Sequence, residues 1–138
     1  MKTLKVILVD DNESFRNALK NLLTNKFYVQ IIGEASSGKE FNNLSNLNSA
    51  DIILMDVMMP DIDGISLTKK ALWANNHLKF IAITMHYDKV YLTSLVEAGF
   101  KGCVFKSNIF SEILHAIETV MSGKYYFPEN ILLNTKGI

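Results

Sequence analysis

Five polar residues stand where short apolar runs end: Asp10 and Asp11 after Leu4–Val9, Asp56 after Ile52–Met55, Thr84 after Phe80–Ile83, and Lys106 after Gly102–Phe105. One such residue could merely solvate a turn. Five at successive strand ends form a set that chemistry could use. If Asp10, Asp11 and Asp56 meet, they repel: two unit charges 4 Å apart cost ~4 kcal/mol at an effective dielectric near 20. A hard cation relieves that repulsion, and oxygen-only donors with room for water suit Mg²⁺. Mg²⁺ would also neutralise an incoming phosphoryl group beside a carboxylate nucleophile. A Lys ammonium and a Thr hydroxyl can hold the remaining phosphoryl oxygens. The set therefore reads as an aspartyl-phosphate site with Asp56 as acceptor.

The elements that must position these residues follow from hydropathy. Ile52-Ile53-Leu54-Met55 is apolar without alternation, as expected for a strand buried on both faces. Pro60, Asp61, Asp63 and Gly64 then open a loop in which the two acids are expected only to solvate the turn. Leu4–Val9 is strand 1, and Phe15, Ala18, Leu19, Leu22 and Leu23 recur at helical spacing, predicting a helix over about 13–25 with Asn12 as N-cap. Tyr28–Glu34 reads as strand 2. Ser36-Ser37-Gly38 opens a second helix with a weak Phe41, Leu44, Leu47 stripe, made doubtful by its Asn and Ser content. Helix 3 follows Gly64, and Phe80–Thr84 is strand 4. Helix 4 carries Leu92, Leu95 and Val96 and stops at Gly99; strand 5 is Gly102–Phe105. Ile109, Ile113, Ala116, Ile117, Val120 and Met121 mark helix 5, closed by Gly123.

Five strands alternating with five helices predict an α/β fold, a parallel sheet wound on both faces in the flavodoxin-like order 2-1-3-4-5. Strands 1 and 3 then flank the switch point, where the three carboxylates converge. Strand 5 lies two spacings from strand 3, about 10 Å, a gap that a Lys arm largely bridges.

Composition narrows the function classes. The 138 residues fit one domain, and 49% hydrophobic with 20% charged residues supports a core. Lys plus Arg equals Asp plus Glu at 14 each, so no net charge draws the chain to nucleic acid or an anionic membrane. A single Cys excludes an intramolecular disulfide and a cysteine-based zinc cluster, and suits a reducing compartment. No apolar run approaches the ~20 residues that span a bilayer, and the N-terminus lacks a signal-peptide cleavage pattern, so a cytoplasmic location is expected.

With these residues in hand, the chain resembles the receiver domain of two-component response regulators. Asp10-Asp11, Asp56 with Met58-Met59-Pro60 and Gly64, Thr84 and Lys106 carry the likeness. It implies a receiver over 1–123, with 124–138 as a tail or the start of a linker. It implies phosphoryl transfer to Asp56 from a sensor histidine kinase or a phosphotransfer protein. It further implies Mg²⁺ held by Asp11, Asp56 and the Met58 backbone carbonyl, with Asp10 acting mostly through water. Thr84 and Lys106 would sense the phosphoryl group and signal to the helix 4–strand 5–helix 5 face, where receivers can form homodimers. Such a protein is a signalling phosphoacceptor, not an enzyme acting on other substrates.

Two positions depart from the family pattern. Cys103 stands where many receivers carry an inward-swinging aromatic, and as a small buried hydrophobe it leaves the switch without that ring. Ser107 stands where Pro commonly follows the Lys; a cis peptide there would cost ~3–4 kcal/mol. Met58 and His86 would flank a water attacking the phosphoryl group and so tune its lifetime. His77 and His115 read as surface residues, having no second ligand at metal spacing.

Gly123-Lys124-Tyr125-Tyr126-Phe127-Pro128 is similar to the exit of receivers in LuxR/FixJ-type transcription factors, where a linker leads to a helix-turn-helix. Residues 124–138 are too few for such a domain, and no basic stripe or recognition helix is visible. The output is therefore expected to be transcription through a domain outside this sequence, or, alternatively, protein contact by a stand-alone receiver. The aromatic trio is expected to fold back on its own domain. Two other functions fit less well. An FMN-binding flavodoxin needs a Ser/Thr/Gly-rich phosphate loop where this chain has Asp10-Asp11-Asn12-Glu13. A haloacid-dehalogenase-type phosphatase usually has a second Asp two residues after the first, where this chain has Met58.

Overall fold

In the computed structural model, which describes residues 3–26, 28–85 and 88–128, each apolar run becomes a strand. They are β1 (Leu4–Val9), β2 (Val29–Ala35), β3 (Ile52–Asp56), β4 (Phe80–Thr84) and β5 (Gly102–Phe105). All pair in parallel in the order β2-β1-β3-β4-β5, as expected. The helices are α1 (Glu13–Thr24), α2 (Gly38–Asn42), α3 (Gly64–Ala74), α4 (Lys89–Ala98) and α5 (Ile109–Met121).

The two-residue period of the strands divides the core. Ile7, Val9, Ile53, Met55, Phe80, Ala82 and Cys103 point to one face, with Phe41 of α2, Leu67 of α3 and Leu92 and Leu95 of α4. Val6, Leu8, Ile52, Leu54, Ile81, Ile83 and Val104 point to the other, with Leu19 and Leu23 of α1 and Ile113, Ala116 and Ile117 of α5. Every residue of β3 and β4 is buried, which is why neither alternates in sequence. Each large side chain so buried contributes about 1.5–3 kcal/mol.

Side chains fix where the helices begin. Asn12 accepts a hydrogen bond from the Phe15 N–H at 3.0 Å, as expected of an N-cap. Asp88 caps α4 by accepting from the Val90 N–H at 2.7 Å. Gly99 ends α4 at φ 105°, where a Cβ would also lie 2.6 Å from Leu72 Cδ1.

Two expectations are corrected. The second helix is only five residues long and the Leu47–Ser49 segment is a separate 3₁₀ turn, because Asn and Ser compete for backbone hydrogen bonds. Asp61 and Asp63 do more than solvate the loop. Asp61 accepts from the Gly38 and Lys39 N–H groups (3.0 and 3.2 Å), tying the loop after β3 to the start of α2. Asp63 is the N-cap of α3, accepting from the Ser66 N–H at 2.8 Å. No peptide bond among the described residues is cis, that after Lys106 included.

The aromatic tail lies against the domain. The Tyr126 N–H donates to the Lys101 carbonyl, its carbonyl accepts from the Cys103 N–H, and its hydroxyl donates to Glu112 of α5 at 2.7 Å. His115, exposed on α5, meets the Tyr126 ring edge-to-face. Tyr125 is half exposed and lies under the Lys101 ammonium.

Candidate functional site

The carboxyl ends of β1 and β3 are neighbours in the sheet, with Val9 paired to Met55, so the next residues along each strand open onto one hollow. There Asp10, Asp11 and Asp56 each offer a carboxylate oxygen, all within 4.8 Å of one another. Asp10 and Asp56 are buried and Asp11 is exposed, so the group opens to solvent on one side.

The backbone around the carboxylates orients them. Asp10 Oδ1 accepts from the Asn12 N–H at 2.8 Å, and the Asp10 carbonyl accepts from the Arg16 guanidinium. Arg16 is itself held by Glu34 of β2 (3.0 Å), which Lys20 also pairs with (2.8 Å). Asp56 Oδ1 accepts from the Met58 N–H at 3.0 Å. Gly64 is required just behind: a Cβ there would lie 2.7 Å from the Asp56 carbonyl oxygen and 2.8 Å from Val57 Cα, both backbone atoms that cannot swing aside. Gly64→Ala should therefore lower unfolding free energy by about 3 kcal/mol, read as a drop in urea midpoint; an unchanged midpoint would mean the loop has room to spare.

Lys106 arrives from the end of β5. Its ammonium lies 3.2 Å from Asp10 Oδ2 and 3.7 Å from Asp56 Oδ2, with its charge also over the Phe15 ring at 4.4 Å. Among the described residues, Lys106 is thus the cation paired with two of the three carboxylates, Asp10 and Asp56. Burial, helped by the Asp10 and Asp11 charges, pushes the Asp56 carboxyl up to about 6, against the opposing pull of the Met58 N–H and Lys106.

Three features fit a divalent cation. The donors are all oxygens, the excess charge is negative, and the buried Asp10 Oδ2 has no hydrogen bond to complement its ion pair. The group could hold a metal through Asp10, Asp11 and Asp56.

The other expected residues fall as follows. Thr84 is buried at the end of β4, one strand from Asp56, and Met58 is 54% exposed at the rim. Cys103 is buried on β5, paired with Ala82; burial drives its thiol up to about 12, so it is not a reactive nucleophile. His86 lies outside the described residues. His77 is exposed on the α3–β4 connection. Tyr91 of α4 was not legible from sequence. It is half-buried against the core cluster that holds Leu92 and Leu95, and burial raises its pKa.

Residues 6–118 match the family described as the response regulator receiver domain. The chain belongs to that family. Response regulator UvrY of Escherichia coli K12 is 31% identical to this receiver over 128 residues, 93% of this chain and 59% of its own length. Response regulator GacA of Pseudomonas syringae pv. syringae is 32% identical over 93% of this chain and 60% of its length. The receiver thus spans about three fifths of the curated relatives it matches. Among solved structures, a LuxR-family two-component response regulator from Aurantimonas superposes with a TM-score of 0.86 at 26% identity, over 97% of this chain and 96% of that one. Salmonella typhimurium RcsB gives 0.83 at 25% identity, over 99% of this chain and 67% of its own. The receiver is a signalling domain of two-component response regulators. Among its described residues no helix is long and apolar enough to cross a membrane.

Proposed function

We propose that Asp56 is the phosphoacceptor, taking a phosphoryl group from the phosphohistidine of a sensor histidine kinase or phosphotransfer protein. The observation that carries this is the buried Asp56 carboxylate at the end of β3, set beside the Asp10 and Asp11 carboxylates and within reach of the Lys106 ammonium on the switch-point edge. An Asp56 carboxylate oxygen forms the new P–O bond as the donor's P–N bond breaks, and the bonding pair leaves with the imidazole. Asp11, Asp56 and the Met58 carbonyl would hold Mg²⁺, with Asp10 acting mostly through water; the ion when bound offsets negative charge on the phosphoryl oxygens. Lys106 and Thr84 supply the protein's own donors to those oxygens. Met58, exposed at the rim, and His86 would limit the water that hydrolyses the product.

The output proposed is transcription, through a DNA-binding domain of the whole regulator. Its support is the family of the relatives and the fraction of their length that this chain spans. A homodimer through α4, β5 and α5 would meet the aromatic tail, since Tyr126 pairs with the start of β5. The receiver proposed is residues 1–123, followed by 124–138 as a tail or the start of a linker, and the location proposed is the cytoplasm.

Millimolar Mg²⁺ should raise the melting temperature of the wild-type protein, by about 2.7 kcal/mol of added stability at a hundredfold excess over Kd. Asp11→Ala should remove most of that shift while leaving the metal-free melting temperature near the wild-type value. An identical Mg²⁺ response in both proteins would move the metal elsewhere.

A further inference from the structure

A lysine ammonium is a compact charge on a flexible four-carbon stem, so something must aim it if it is to meet a phosphoryl group. Lys106 Nζ lies 3.2 Å from Asp10 Oδ2 and 3.7 Å from Asp56 Oδ2. The second distance is beyond hydrogen-bond reach, so the carboxylates attract the ammonium but fix its direction loosely. A further contact is the face of the Phe15 ring, whose centroid lies 4.4 Å from Nζ. We propose that Phe15 is a positioning residue for phosphoryl transfer: its ring face is the platform that holds the Lys106 ammonium beside Asp10 and Asp56, where the phosphoryl oxygens arrive. This rests on Asp56 being the phosphoacceptor.

The ring is placed by groups other than the lysine. Phe15 belongs to the first turn of α1, and its N–H donates to the N-cap Asn12 at 3.0 Å. The Asn12 N–H donates in turn to Asp10 Oδ1 at 2.8 Å. One turn of backbone therefore sets both the ring and a carboxylate that the ammonium faces. Lys106 itself opens the short 3₁₀ turn Lys106–Asn108 before α5. Phe110, in the first turn of α5, packs against Phe15 with ring centroids 6.0 Å apart and planes tilted by 52°. Phe15 is half-buried and also packs on the core cluster beneath α1 and α5.

A ring supplies something that another carboxylate could not. Its face carries partial negative charge and attracts a cation, yet the side chain has no net charge. It draws the ammonium in without adding to the repulsion that Asp10, Asp11 and Asp56 exert on an incoming phosphoryl group. It offers no lone pair, so the three N–H groups of Lys106 remain available to the carboxylates and the phosphoryl oxygens. A leucine at position 15 would still pack on the core, but it would not attract the ammonium.

The first measurement uses the metal-free wild-type protein and reads the proton shifts of the Lys106 CH₂ group next to the ammonium, assigned from its own backbone amide. A ring face shields protons above it, so these should lie upfield of lysines that have no ring beside them, and should lose that displacement in Phe15→Leu. Ordinary lysine shifts for Lys106 in the wild type overturn the inference. The second measurement is the rate at which acetyl phosphate labels Asp56 at saturating Mg²⁺. Phe15→Leu should slow labelling about fivefold, the size that one cation–ring contact supports. Phe15→Tyr, which keeps the ring face, should label at close to the wild-type rate. In a Lys106→Met background, Phe15→Leu should slow labelling no further, because the group it positions is gone. Undiminished labelling in Phe15→Leu, equally slow labelling in Phe15→Tyr, or further slowing in the Lys106→Met background each overturns the inference. A wild-type protein that takes no label on Asp56 would sink the phosphoacceptor reading, and the inference with it, whatever the lysine shifts show.

Discussion

Asp56→Asn should make the metal-free protein more stable at pH 7.5, although it removes the residue on which the site is centred. Asp56 is 4% exposed, and its carboxyl sits at about 6 against an ordinary 3.8. A raised carboxyl pKa means the folded state holds its proton more tightly than the unfolded chain. The favourable contribution is therefore complete below about 4 and is lost as pH rises through about 6. At pH 7.5 the ionised group costs up to about 3 kcal/mol, and water at the open side of the pocket screens this to about 2 kcal/mol. The wild-type melting temperature should fall between pH 5 and 7.5, a window above the range where Glu34 and Asp61, both held below the usual carboxylate range, pick up protons. The Asn variant should lack most of that fall and melt roughly 6–8 °C higher at pH 7.5. Parallel pH curves for the two proteins would show that Asp56 is not strained by its surroundings.

Lys106→Met should act in the opposite direction. The substitution keeps most of the apolar stem and deletes the ammonium that faces Asp10 and Asp56. It strips Asp10 Oδ2 of its ion pair and leaves three carboxylates within 4.8 Å with no cation paired to them among the described residues. Breaking such a pair from one side costs about 3 kcal/mol, because the remaining charge stays buried. The contact with the Phe15 ring goes with it. The metal-free variant should unfold at markedly lower denaturant, and Mg²⁺ should recover more stability in it than in the wild type. A midpoint unaltered without metal would mean the ammonium spends its time in solvent.

These two variants push stability in opposite directions from the same few ångströms, which is the mark of a site built for function at the cost of stability. The fold around it is conventional in its economy: β3 and β4 bury every residue, and the helices cover both faces.

The carboxylate site was legible because chain order and strand order coincide with chemistry. Asp10, Asp56, Thr84 and Lys106 each follow an unbroken apolar run, and once the runs are parallel strands the residues after them share an edge. What could not be read were contacts made across large gaps in sequence by side chains with no periodic signal. Asp61 looked like a loop solvator because its partners, the N–H groups of Gly38 and Lys39, lie more than twenty residues earlier. Tyr91 falls outside the Leu92, Leu95, Val96 stripe, so hydropathy alone assigns it no partner. The second helix failed for a local reason: Asn42, Asn43, Asn46 and Asn48 prefer turns, and the apolar stripe was too thin to override them. The tail was readable in outline, but its pairing with β5 rests on backbone groups that every residue carries.

The most direct test is to treat the protein with a small acyl-phosphate donor and Mg²⁺ and map the modified peptide by mass spectrometry. One phosphoryl adduct, on Asp56, lost in Asp56→Asn and strongly reduced when Mg²⁺ is chelated, is the predicted result. An adduct that persists in Asp56→Asn, or maps to another side chain, would contradict it.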